Sequence, residues 1–157
     1  MENLTKETHT VNREHNGFPN YQTFAVALML DSNSRELSGI LKYVAERIAW
    51  GYIQDGEESW NDMTVVTFTE LLQKCIEYTF ESYASEKIHG FTTPFISSIS
   101  WRHVAESIMP DELVNGDVDH TYPWSSAPVI RGVQLHGDVF SIDEFPNTFT
   151  MLVQIFF

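Results

Sequence analysis

Leu37, Ile40, Leu41, Val44, Ile48 and Tyr52 recur at i, i+3, i+4, i+7, i+11 and i+15. That spacing lays the side chains along one stripe and predicts an amphipathic helix over about 35–52. Ser34 is placed to start it and Glu36 falls in its first turn, where a carboxylate meets the positive end of the helix. The other side carries Glu36, Lys42, Glu46 and Arg47 and reads as solvated. Gly39 inside this helix costs about 1 kcal/mol relative to alanine and points to close packing against a neighbour. A second stripe, Leu72, Cys75, Ile76, Thr79, Phe80 and Tyr83, predicts a helix over about 65–86 that ends at His89-Gly90. Glu70, Glu77 and Glu81 share a different face of it. Ile99, Val104, Ala105, Ile108 and Met109 predict a shorter helix over about 98–109, stopped by Pro110.

Before these, residues 16–20 (NGFPN) form a turn cluster, and Asn20 suits the N-cap of a helix over about 21–30. Residues 1–15 lack periodicity and read as a flexible lead, which leaves 16–157 as one domain. After residue 110 the helical period is lost. Residues 129–135 and 139–142 read as strands around a His136-Gly137-Asp138 turn, and 149–157, rich in Phe and β-branched types, as a third strand. The expected class is therefore α+β, with three to four helices followed by a small carboxy-terminal antiparallel sheet.

Charge changes this picture most. The chain has 22 Asp+Glu against 9 Lys+Arg, a net −13 at pH 7. Direct nucleic-acid binding needs a basic footprint, and anionic membranes attract basic segments, so both partners are disfavoured. No apolar run is long enough for a membrane span. A single cysteine, Cys75, excludes an intrachain disulfide framework and fits a reducing, cytoplasmic compartment. The acids are grouped. Asp55, Glu57, Glu58 and Asp62 crowd a stretch over 54–63 that reads as a loop, and Asp111, Glu112, Asp117 and Asp119 crowd another. Past residue 110, Arg131 is the one Lys or Arg.

Catalytic motifs are missing from the chain. Its six histidines show no HxH, HxxxH or HExxH spacing, and there is no CxxC, phosphate-binding glycine loop or G-x-S-x-G elbow. Asp117-Val118-Asp119-His120 is the nearest approach to a ligand cluster and reads as a solvated loop. Cys75 lies on an apolar stripe and reads as a core residue. No cofactor and no metal are expected, and the chain reads as a non-enzyme.

The stretch from Asn16 to Asp31 resembles the opening motif of a family of small phage and plasmid proteins, N-G-W-x-N-Y-x-T-W-x-V-x-L-W-x-D. Asn16, Gly17, Asn20, Tyr21, Thr23, Val26, Leu28 and Asp31 agree with it, while Phe18, Phe24 and Met29 replace tryptophans. Residues 100–105 (SWRHVA) are similar to a later W-x-x-[IV]-A element of the same family. The resemblance carries no activity. It implies a mobile-element protein made in the cytoplasm of a bacterial host, a setting in which small acidic proteins block defence nucleases by protein–protein contact.

Charge and resemblance together point to an anti-restriction or anti-CRISPR type of inhibitor. Rows of carboxylates imitate a nucleic-acid backbone, which presents one charge per about 1.7 Å of duplex axis. The expected partner is a basic nucleic-acid-binding host protein. The residues expected to meet it are Asp55, Glu57, Glu58, Asp62, Glu70, Glu77, Glu81, Asp111, Glu112, Asp117 and Asp119, with Trp60 and Trp124 as anchoring rings set in loops. The alternative is a homodimer or larger assembly formed by pairing of the aromatic 149–157 strand between copies.

Overall fold

The computed structural model of the chain describes residues 17–32, 35–79 and 97–156. Within them lie α1 (Tyr21–Ser32), α2 (Arg35–Gln54), α3 (Trp60–Thr79), α4 (Trp101–Ile108), α5 (Asp111–Asn115) and α6 (Phe145–Phe156). A two-stranded hairpin, β1 (Val129–Ile130) and β2 (Val133–Gln134), and a 3-10 turn (Gly137–Phe140) stand between α5 and α6. The protein is mostly helical with a small antiparallel sheet in its carboxy-terminal part.

The central element is α3, which packs against α2, α4, α5 and α6. Its inner face is Val65, Phe68, Leu71, Leu72, Cys75 and Ile76, all buried. Helix α2 brings Leu37, Ile40, Leu41 and Val44 against it, the stripe expected from their spacing. Tyr52 and Thr67 share a hydroxyl hydrogen bond of 2.7 Å that pins the two helices near their loop. Gly39 packs against nothing: a Cβ there would meet no described atom within 4 Å, so the expected close approach is absent.

Asn20 caps α1 as expected, and does more. Its Oδ1 accepts from the Thr23 backbone N–H at 2.8 Å and from the Thr23 hydroxyl at 2.7 Å. Its Nδ2 donates to the Ser98 carbonyl at 2.7 Å. Thr23, fully buried, accepts in turn from the Ser100 N–H at 2.9 Å. One amide thus satisfies the start of α1 and clasps it to the start of α4. Asn20→Ala is expected to cost about 1–2 kcal/mol. Urea unfolding checks it: the midpoint should fall with the slope unchanged.

Several boundaries differ from expectation. Helix α3 begins at Trp60, inside the stretch expected to be an acidic loop, because Asp62 in its first turn stabilises that end. The expected continuation of α3 to 86, with its His89-Gly90 end, lies outside the described residues, as does the flexible lead over 1–15. Asp111 and Glu112 form the first turn of the short α5 rather than a loop.

The sheet is smaller than expected. The hairpin turns at Arg131-Gly132, whose φ values of 51° and 81° are the two positive angles of a type I′ turn. Ile130 therefore faces Val133 and Val129 faces Gln134. His136-Gly137-Asp138 does not turn a hairpin; it enters the 3-10 turn, which ends with Phe140 buried against Tyr43 at 5.2 Å between ring centroids.

The expected strand over 149–157 is helix α6. Phe145, Thr148, Phe149 and Leu152 are buried, an i, i+3, i+4, i+7 stripe lying on α3. The Thr148 hydroxyl donates to the Val139 carbonyl at 2.9 Å, with the Glu144 carbonyl at 3.3 Å, and Thr150 donates to the Pro146 carbonyl four residues back at 3.2 Å. With no strand there, pairing of that segment's edge between copies loses its basis.

Candidate functional site

Two acidic runs lie about fifty positions apart in sequence, and the fold joins the residues next to them. Asn61, in the first turn of α3, donates from Nδ2 to the Val114 carbonyl of α5 at 3.2 Å. Gly116 follows α5 in the left-handed region with φ 80°, and a Cβ on it would sit 3.2 Å from the Asn61 side chain. Glycine is required there for its backbone angle and for that close approach. The contact sets Asp62 of the first run beside the chain that leads into Asp117 of the second.

Asp55, Glu57, Glu58, Asp62, Asp111, Glu112, Asp117 and Asp119 are all exposed. Among the described residues none of them joins an ion pair; the pairs present are Arg102–Glu106 and His136–Asp138. Asp119 is held locally. It accepts from the Thr121 hydroxyl at 2.5 Å and from the Thr121 N–H at 2.8 Å, which holds its carboxyl below the ordinary range. The carboxylate face expected along α3 is less continuous. Glu70 is exposed and Glu77 half-buried, but Val66 and Lys74 share the outer strip, and Glu81 lies outside the described residues.

The two tryptophans differ from each other. Trp60 is half-buried as the first residue of α3 and packs against the core, not in a loop. Trp124 lies in an irregular segment as expected, edge-on to Trp50 at 5.3 Å and to Tyr122 at 4.6 Å between centroids. It walls a groove of about 280 Å³ between α2 and the 122–125 segment, lined also by Tyr43, Glu46, Arg47, Trp50 and Ser125.

Glu46 is the residue that local sequence misplaces. Its position in the repeat assigns it to the solvated side of α2, yet it is only 2% exposed. Oε2 accepts from the Tyr122 hydroxyl at 2.6 Å and Oε1 from the Ser125 N–H at 3.1 Å. Burial first, and then donation to Glu46, push the Tyr122 phenol above its ordinary range. Glu112 adds its negative charge to the same effect. The sequence does hold one usable signal: Tyr43, Glu46 and Trp50 lie at i, i+3 and i+7 on one helix face, a carboxylate between two rings.

No group of three or more metal-ligating side chains is assembled among the described residues, and Asp117–His120 remains an exposed loop. No helix among them is long and apolar enough to cross a membrane.

Comparison with protein-family models, curated proteins and solved structures yields no match.

Cys75 is buried in α3, and desolvation lifts its thiol well above the ordinary value of 9.0. Both Cys75 and Tyr122 hold their protons more tightly folded than unfolded. Their contribution is complete at neutral pH and is lost as pH rises, since the unfolded chain releases the thiol proton from about 9.0 and the phenol proton from about 10.0. For the thiol the expected slope is about 1.4 kcal/mol per pH unit above that threshold, and the phenol adds to the fall in the same direction. Urea midpoints at pH 8, 9.5 and 10.5 check this, and Cys75→Ala should remove the first part of the fall. A midpoint constant through that range counts against it.

Proposed function

We propose that this protein is a non-enzymatic inhibitor of mobile-element origin, which docks its acidic end on a basic nucleic-acid-binding host protein and competes with nucleic acid for the cleft. Support comes from one observation: the first turn of α3 and the end of α5 meet through Asn61, Val114 and Gly116, and each adjoins an exposed acidic run without ion pairing among the described residues. Charges left unpaired and exposed raise self-repulsion in the folded state, a cost that is offset only when a cationic surface arrives.

The two stretches that resemble the phage and plasmid family, 16–31 and 100–105, are clasped together through Asn20, Thr23 and Ser100. Their shared role is to hold α1 on α4, so they contribute scaffold, and the acidic end supplies the contact. A defence nuclease of the restriction or CRISPR type is the partner class that fits this context.

The test is capture from the bacterial host followed by competition. The captured protein is expected to bind nucleic acid and to release it when this chain is added, with inhibition falling steeply between low and moderate salt. A captured protein that keeps its nucleic acid, or a complex indifferent to salt, rejects the proposal.

A further inference from the structure

Glu46 presents an energetic problem that its neighbours solve only in part. A carboxylate at 2% exposure has lost most of its hydration, and burying an unpaired charge is costly. Tyr122 and Ser125 supply two neutral donors. An ionised carboxylate accepts about four hydrogen bonds, so acceptor capacity remains on both oxygens. Among the described residues no lysine, arginine or histidine pairs with it. Arg47, next in the chain, lines the same groove but engages Tyr43 instead: its guanidinium lies 5.9 Å from the Tyr43 ring centre and its NH1 is 3.4 Å from the Tyr43 hydroxyl.

The groove above Glu46 is walled by rings. Trp50 is 49% exposed and stands at 75° to Trp124. A volume of about 280 Å³ is just under the range of sites for drug-sized ligands, and suits one long side chain. Rings beside a desolvated carboxylate match guanidinium better than ammonium. Arginine stacks on aromatic faces and offers a planar fork to two carboxylate oxygens, while lysine is a compact and strongly hydrated charge.

We propose that this groove receives one arginine side chain of the partner, its guanidinium lying against the Trp50 and Trp124 rings and pairing with Glu46. A basic partner as the source of that arginine is taken from the function proposed above. Tyr122, which holds Glu46, donates its backbone N–H to the Asp119 carbonyl at 3.1 Å, so the wall of the groove continues into the second acidic run and one basic surface can reach both. The acidic runs attract the partner at long range, and the groove adds a short-range contact selective for arginine over other cations.

The probe is Nα-acetyl-arginine amide, with Nα-acetyl-citrulline amide as its neutral isostere and Nα-acetyl-lysine amide as the second cation. The readout is the shift of the Trp50 and Trp124 indole N–H signals in NMR. Arginine amide is expected to give saturable shifts, and both other compounds to bind at least tenfold more weakly. Glu46→Gln should weaken arginine binding at least tenfold while preserving the Tyr122 contact. Trp50→Ala, at a position too exposed to open the core, should weaken it while cooperative unfolding is kept. Absence of saturation, equal response to citrulline, or wild-type binding by both variants overturns the site. Arginine binding by a chain that displaces no nucleic acid from any captured protein overturns the proposed function and leaves the pocket standing.

Discussion

Replacing Glu57, Glu58, Asp62 and Asp117 by lysine together is expected to weaken the complex with the basic partner at least a hundredfold at low salt. Each substitution changes the local charge by two, and all four positions are exposed without an ion pair among the described residues. Electrostatic steering contributes about 10–10³ in association rate, so most of the loss should appear in the on-rate. The deficit should shrink as salt rises, because the screening length is about 10 Å at 0.1 M. Folding should change little. Lysine at Asp62 loses a favourable contact with the positive end of α3, about 0.3–1 kcal/mol, against relief of repulsion elsewhere. Glu36 supplies the control. It lies near the opposite end of α2, eighteen residues from Gln54, or roughly 27 Å along the helix. Glu36→Lys should leave affinity within about twofold at moderate salt. Stopped-flow association across a salt series measures both. An equal loss from Glu36→Lys would assign the effect to net charge and remove the acidic end as the contact.

Phe68→Ala is expected to be the most damaging single change to the fold. Phe68 is fully buried at the middle of α3, the helix on which four others pack. Truncating a buried phenylalanine costs about 3–5 kcal/mol, from lost transfer energy and from the cavity that remains. Domains have only about 5–15 kcal/mol in total, and each kcal/mol at this size moves the melting temperature by about 2–4 °C. A fall of about 6–20 °C should follow in a thermal melt. Val66→Ala, two residues away and 51% exposed, should stay within about 0.5 kcal/mol. Equal losses from the two would mean that α3 is not the centre of the core.

How far these features are legible in the sequence depends on whether their cause is local. Helix α2 is readable because six apolar positions repeat at its period. Asn20 is readable because an N-cap needs only the next three residues. Helix α6 is not, because residue type and spacing disagree there. Thr148, Phe149, Val153, Ile155 and Phe156 are all β-favouring types, which makes the segment look like a strand. Phe145, Phe149, Leu152 and Phe156 nevertheless keep a helical spacing, and packing on α3 decides between the two. Glu46 is legible only as a carboxylate between two rings on one helix face, and its burial is not. Its partners, Tyr122 and Ser125, lie 76 and 79 positions away, and no local pattern announces them. The acidic runs are visible one by one, while their meeting rests on Asn61, a residue with no charge to draw notice.

The clasp between Asn20 and Ser98 also sets an order of assembly. It joins positions 78 apart, whereas α2 and α3 are neighbours in the chain and meet across a short turn. Local contacts form early and distant ones late. During synthesis at roughly 5–20 residues per second, the chain between Asn20 and Ser98 takes about 4–16 s to emerge. For those seconds the face of α1 that α4 will cover stays open to water and to chaperones. Helix α1, made before α2 and α3, is among the last of the described helices to be secured.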